Sequence, residues 1–136
     1  MTDQISGVDH IGVMVADLEA AGRFLSETFG LELDREAEIP ALDVRTRFYR
    51  CGPITIEVFQ PNDPAVAQRE LGAAPGKIEH IAVQVGSLPQ AMEELAGQGV
   101  AFKFDDPIET GPNLSTYTLP ETSQGMIFQL FAPKDG

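Results

Sequence analysis

The residues of this chain best suited to chemistry are also its scarcest. There are two histidines, His10 and His80. Each opens a similar run, HIGVMV and HIAVQV, about 70 residues apart. Further along each copy, TIEVFQP (55–61) is matched by IFQLFAP (127–133), which sets Glu57 against Gln129, Phe59 against Phe131 and Pro61 against Pro133. Two neutral imidazoles, one carboxylate and one amide oxygen make an N2O2 donor set suited to Zn, Co, Ni, Fe or Mn, with water or a substrate completing the shell. One histidine on a strand ordinarily reads as a hydrogen-bonded structural residue. A repeat-related His pair joined by a repeat-related Glu/Gln pair instead favours a metal held by His10, Glu57, His80 and Gln129.

Equivalent residues need equivalent elements to carry them. Residues 8–25 align with 78–95 through His10/His80, Ile11/Ile81, Val13/Val83, Val15/Val85, Leu18/Leu88, Ala21/Ala91 and Leu25/Leu95, so the chain reads as a tandem duplication. Residues 5–15 alternate as a strand does. Asp17 then caps a helix in which Leu18, Ala21, Leu25 and Phe29 recur at helical spacing until Gly30. Three strands follow, at 31–38, 44–50 and 53–60, broken by Pro40 and by Gly52-Pro53. The second copy predicts a strand at 78–85, a helix at about 88–97, and strands near 100–104, 114–119 and 125–131. A linker at 62–76 carries a short helix at 64–71. The fold class is therefore α+β, with two tandem βαβββ modules (about 5–61 and 77–133) in one domain spanning 1–136, whose mixed sheet curves to enclose a cavity.

Strand parity places the candidates. With Ile11, Val13 and Val15 turned towards the helix, His10 falls on the other face beside Gly12, and His80 likewise falls beside Ala82. Thr55, Glu57 and Phe59 share a face, as do Ile127, Gln129 and Phe131, so the four donors can converge if the sheets curve.

Composition narrows the partners. Nine basic residues against 21 acidic ones give a net charge of −12, a field that repels nucleic acid. What remains is a small-molecule enzyme or a protein that binds a cationic ligand. A single cysteine, Cys51, excludes an internal disulfide framework and a Cys-only metal site, and reads as a small core or strand-edge residue. No stretch of about 18 apolar residues suggests a membrane span. The opening MTDQISGVDH lacks the pattern of a secretory signal, so the expected location is the cytoplasm and the sequon at Asn113-Leu114-Ser115 carries no meaning. Gly111-Pro112-Asn113 is either a cavity rim or an ordinary turn. Arg45, Arg47 and Arg50 stand either to attract an anionic substrate or to pair with the acids around them.

The duplicated plan, with DHIGVMVADLEAAGRFLSETFGLEL opening one half and EHIAVQV the other, resembles the vicinal oxygen chelate superfamily, which includes glyoxalase I, extradiol dioxygenases and antibiotic-resistance proteins. Within it, EIPALDVRTRFYRCGPITIEVFQPNDPAVA, GKIEHIAVQV, DDPIETG and FQLFAP are similar to the methylmalonyl-CoA epimerases. The resemblance spans roughly residues 5–133. It implies a divalent metal on His10, Glu57, His80 and Gln129 that chelates two neighbouring substrate oxygens and stabilises an enediolate, with an acyl-CoA as substrate and a homodimer as the assembly. Two departures stand out. The final-strand ligand of the epimerases is typically Glu, often cast as a base, where this chain has Gln129. The other base falls at or near Thr46. Neither accepts a proton at useful pH, which leaves Glu57 as the catalytic candidate unless Glu36, Glu38 or Asp43 reaches in. Thr46, Phe48 and Tyr117 are the substrate-binding candidates, and core packing is the alternative for the aromatic residues, Phe59 and Phe131 included. A lyase or cyclase step, a dioxygenase, and a non-catalytic antibiotic-binding protein are the competing readings.

Overall fold

The computed structural model describes residues 5–134. Eleven elements of regular α or β structure run β1 (Ile5–Val15), α1 (Leu18–Arg23), β2 (Leu33–Ile39), β3 (Val44–Cys51), β4 (Ile54–Pro61), α2 (Pro64–Leu71), β5 (Gly76–Val85), α3 (Leu88–Ala96), β6 (Ile108–Thr110), β7 (Asn113–Tyr117) and β8 (Phe128–Pro133). The βαβββ order thus occurs twice and the class is α+β. The chain forms two compact units. One is His10–Glu79 and the other holds the remaining described residues, so the chain passes between them inside β1 and inside β5.

In the His10–Glu79 unit the strand order is β2-β3-β4-β1. β2/β3 and β3/β4 are antiparallel, whereas β1 lies parallel to β4 with Gly12 beside Glu57. One face of this sheet packs α1, where Val15, Leu18, Leu25, Tyr49 and Val58 are buried together. The other face buries Met14, Ile39, Val44, Phe59 and Leu71, the last supplied by α2. The second unit runs β5-β8-β7-β6, with β5 parallel to β8 and Ala82 beside Gln129. Val83, Val85, Leu88, Ala91, Phe102, Leu130 and Ala132 form its core under α3.

The helix starts follow their caps. Asp17 accepts from the Ala20 N–H, Asp63 from Ala65 and Ser87 from Gln90, each satisfying an N–H that has no partner within its helix. Helix α2 covers 64–71 as predicted. The first helix departs from expectation after Arg23. It widens into a π-helical turn over Phe24–Thr28, in which the Phe29 N–H reaches Phe24 O at 3.2 Å. The Ser26 hydroxyl bonds back to Gly22 O at 3.0 Å, the kind of side-chain contact that disturbs a helical ladder. Phe29, expected on the buried stripe, is instead exposed and lies against Phe24 with ring centroids 4.9 Å apart.

The second unit brings two further corrections. No strand forms at 100–104. A single bridge joins Phe102 to Thr118, and the segment is held by its bonds to neighbouring loops, such as Ala101 N–H to Thr122 Oγ1 at 3.0 Å. The strand pairing with β7 is the three-residue β6. The last strand begins at Phe128 rather than 125, because a 3-10 turn at Pro120–Thr122 and a turn with Gln124 and Gly125 at positive φ occupy the intervening residues. Gly111, at φ 68, and Pro112 make the turn between β6 and β7.

Candidate functional site

His10 is buried on the face that parity assigned to it, with Gly12 and Met14 beyond it on the same strand. Pairing across the sheet then sets a row. Phe48 on β3 lies opposite Glu57 on β4, and Glu57 lies beside Gly12 on β1. Directly paired residues share a face, so a glycine is the strand neighbour of the carboxylate. Glu57 is 7 % exposed and is the one buried acid among the described residues. Its Oε1 lies 3.2 Å from His10 Nε2, and its Oε2 accepts the Thr46 hydroxyl at 2.8 Å. Phe48 meets the His10 ring edge-on, with centroids 5.2 Å apart and planes at 86°. The imidazole is thus held by a ring while the carboxylate is held by a hydroxyl.

The other unit builds the same arrangement from the second copy. His80 is buried on β5, with Ala82 next on its face. Tyr117 on β7 lies opposite Gln129 on β8, and Gln129 lies beside Ala82. Tyr117 meets the His80 ring edge-on at 5.5 Å and 82°, as Phe48 meets His10. Ser115 takes the place of Thr46. Its Oγ accepts from Gln129 Nε2 at 3.0 Å and lies 2.5 Å from the Thr110 hydroxyl. With the amide nitrogen committed to Ser115, Oε1 is the atom that Gln129 can offer a cation.

The donor types fit a divalent ion. Two ligand atoms at about 2.1 Å from one cation, at 90–110° to each other, lie about 3.0–3.4 Å apart. The 3.2 Å between His10 Nε2 and Glu57 Oε1 is within that range. A hydroxyl on the second carboxylate oxygen and another on the amide nitrogen fix the orientation of both side chains, as outer-shell contacts do for metal ligands.

Other candidates fall elsewhere. Glu36, Glu38 and Asp43 are exposed. Glu36 pairs with Arg47 at 2.9 Å and Asp43 accepts from Asn62 at 2.9 Å. Arg45 and Arg47 lie on the α1 face, where both reach Glu19, at 3.6 and 3.2 Å. Arg50 binds Asp34 at 2.7 Å and Glu32 at 3.2 Å. Burial pulls the Arg47 guanidinium down, but its hydrogen bonds to Tyr49 and Glu36 outweigh that and hold its pKa above the ordinary value. Of the two readings of these arginines, the structure has them paired with acids. Cys51 is exposed at the end of β3. Sequence reasoning missed Ser115 and Thr110. Aligning Thr46 with Ser115 in the repeat was the available signal for Ser115, and no signal pointed to Thr110.

The sequence profile of the glyoxalase/bleomycin resistance protein/dioxygenase superfamily matches residues 9–117. No curated protein matches the chain significantly. Among solved structures, methylmalonyl-CoA epimerase from Mycobacterium tuberculosis is similar at TM-score 0.88 and 23% identity, over 98% of this chain and 91% of that one. Streptomyces coelicolor methylmalonyl-CoA epimerase, solved with 2-nitronate-propionyl-CoA, is similar at TM-score 0.86 and 20% identity, over 96% and 99% of the two chains. A hypothetical protein from Bacillus halodurans gives TM-score 0.84 and 23% identity over 96% of each. At these identities the structural likeness speaks for the fold alone. The profile match, covering most of the chain and both histidines, goes further: the chain belongs to the glyoxalase/bleomycin resistance protein/dioxygenase superfamily.

Proposed function

We propose that the chain is a divalent-metal-dependent isomerase of the epimerase type, which removes a proton beside a carbonyl. His10, Glu57, His80 and Gln129 are its metal donors, and Glu57 is its proton carrier. Both histidines and Glu57 are buried, and they are of the types that hold such an ion. The observation that carries the reading is Glu57 itself, a buried carboxylate fixed at one oxygen by Thr46 and set 3.2 Å from an imidazole nitrogen at the other. When bound, the cation would supply Lewis-acid stabilisation of the oxyanion that develops as the proton leaves.

The chain's own residues account for the rest. Thr46 and Gln129, at the places of the epimerase bases, accept no proton, so Glu57 alone serves. Released from the cation at Oε1 as the substrate binds, it takes the α-proton there, exchanges it with solvent and delivers a proton to the other face of the planar α-carbon. Thr46 keeps Glu57 in one rotamer by donating to Oε2. Phe48 and Tyr117 pack edge-on against the two imidazoles and restrict water around them. The structural neighbours named as methylmalonyl-CoA epimerases favour a 2-substituted acyl thioester as the substrate class.

Deuterium wash-in at the α-carbon of racemic methylmalonyl-CoA in D2O tests this directly. Exchange is expected in the metal-loaded protein and falls by about 100-fold or more in Glu57→Gln. Undiminished exchange in Glu57→Gln, or none in the metal-loaded wild type, contradicts the proposal. Two histidines and one carboxylate also form the donor set of non-haem Fe(II) oxygenases. Oxygen uptake with a catechol and Fe(II), in place of exchange, would favour that second reading.

A further inference from the structure

We propose that Arg35 is the docking point for an anionic group, a carboxylate or a phosphate, on the small molecule that binds at His10 and Glu57. The ligand is then a chelator carrying a second negative charge. The proposal rests on the metal reading above and adds the charge of the ligand to it.

The register of β2 against β3 carries the argument. Leu33 lies opposite Tyr49, and a continuous antiparallel ladder would next bring Arg35 opposite Arg47, on the α1 face. Between Leu33 and Arg35 the register shifts, and Arg35 lies opposite Phe48 instead. A bulge of this kind re-aims one side chain across the sheet. It puts Arg35 in the row of Phe48 and Glu57, which are themselves paired. The guanidinium carbon lies 3.8 Å from the Phe48 ring centroid, and the same ring packs against His10. The positive charge is therefore one phenyl ring from a metal-donor imidazole.

Contacts around Arg35 leave it able to bind. Stacking fixes the guanidinium plane without using its N–H groups. Of its five donors, Nη1 is engaged, at 3.2 Å from Oδ2 of the adjacent Asp34, whose other oxygen is held by Arg50 at 2.7 Å. The Arg35 side chain is 49 % exposed, so a ligand can reach it. In a chain of net charge −12, a cation turned onto the donor face supplies local attraction that the overall field opposes.

Three hydroxamates separate the metal-binding head from the second charge. Acetohydroxamate chelates through two neighbouring oxygens and has no distal anion. Succinic monohydroxamate adds a carboxylate and phosphonoacetohydroxamate adds a phosphonate, so the two distinguish the source of the charge. Each is titrated against the Co(II)-loaded protein and followed by its visible spectrum. Wild type is expected to bind at least one anionic probe about tenfold more tightly than acetohydroxamate. Arg35→Gln loses that preference while keeping its Co(II) uptake and its affinity for acetohydroxamate, and Arg35→Lys keeps part of the preference. No preference in wild type, a preference that survives in Arg35→Gln, or equal weakening of all three probes, overturns the proposal. If the protein takes up no Co(II), the metal reading fails separately. The Arg35 Nε–H resonance in the metal-free protein, titrated with succinate and with inorganic phosphate, then decides: a saturable shift supports the anion site and an unmoved resonance overturns it.

Discussion

Thr46 and Ser115 occupy equivalent places in the two copies and perform the same task on different partners. One gives its hydroxyl proton to Glu57, the other accepts from Gln129. Thr46→Val keeps the shape and removes the donor, so it is expected to lower stability by about 1–3 kcal/mol and metal affinity by about tenfold or more. Thr46→Ser restores both, as denaturant titration and metal competition would show. Ser115→Ala leaves the buried Gln129 amide and the Thr110 hydroxyl without this partner and is expected to lower stability by about 1–3 kcal/mol and to weaken metal binding by about tenfold. Unchanged metal affinity in both variants would remove the hydroxyls from the account. The burial of His10, His80, Glu57 and Gln129 was legible because they recur at matching places in the duplication. Ser115 and Arg35 were not. For the first, the repeat alignment with Thr46 gave the place but not the hydrogen bond to Gln129, and the second depends on a bulge that strand alternation does not reveal.

Elements were legible where a local signal dominates them. Asp17 announced the first helix start, and Gly52-Pro53 announced the turn between β3 and β4. Signals failed where tertiary packing decides. The 100–104 segment has strand-like residues, yet Phe102 is buried in the α3 core and makes only one bridge. The π-helical turn that leaves Phe29 exposed coincides with the Ser26 hydroxyl's bond to Gly22 O, with no break in periodicity to announce it. Gly22 shows how closely α1 approaches its sheet: a Cβ there would run into the Tyr49 hydroxyl and come within 2.9 Å of Arg47 Nη1. Gly22→Ala is thus expected to destabilise by about 1–3 kcal/mol despite its better helix propensity, measured by chemical denaturation. Unchanged or increased stability would mean that α1 is loosely seated. At the end of α2, hydrogen bonds from Arg69 and from Lys77 on β5 hold Glu70 below its ordinary pKa of 4.5. A carboxylate with a lowered folded-state pKa stabilises above its unfolded pKa and loses that contribution as pH falls. The stability difference between wild type and Glu70→Gln is therefore expected at pH 7 and shrinks below about pH 4.5.

At the scale of the whole chain, duplication explains why so few residues carry so much information. Each copy holds one buried imidazole with an aromatic ring against it, and one carboxylate or amide side chain with a hydroxyl bonded to it. The copies differ where Glu57 answers Gln129, and that asymmetry leaves Glu57 as the one buried carboxylate among the described residues. The chain's net charge of −12 also predicts that an anionic ligand associates faster as salt screens the field, which stopped-flow binding at two ionic strengths would check. The central proposal is that His10, Glu57 and His80 are metal ligands. Metal content of the purified protein, measured beside His10→Ala, His80→Ala and the double variant, tests it most directly. The account predicts about one divalent ion per chain in wild type, weakened by either single substitution and lost in the double variant. No ion after exposure to Zn, Co, Ni, Mn and Fe(II), or an ion retained by the double variant, would contradict it.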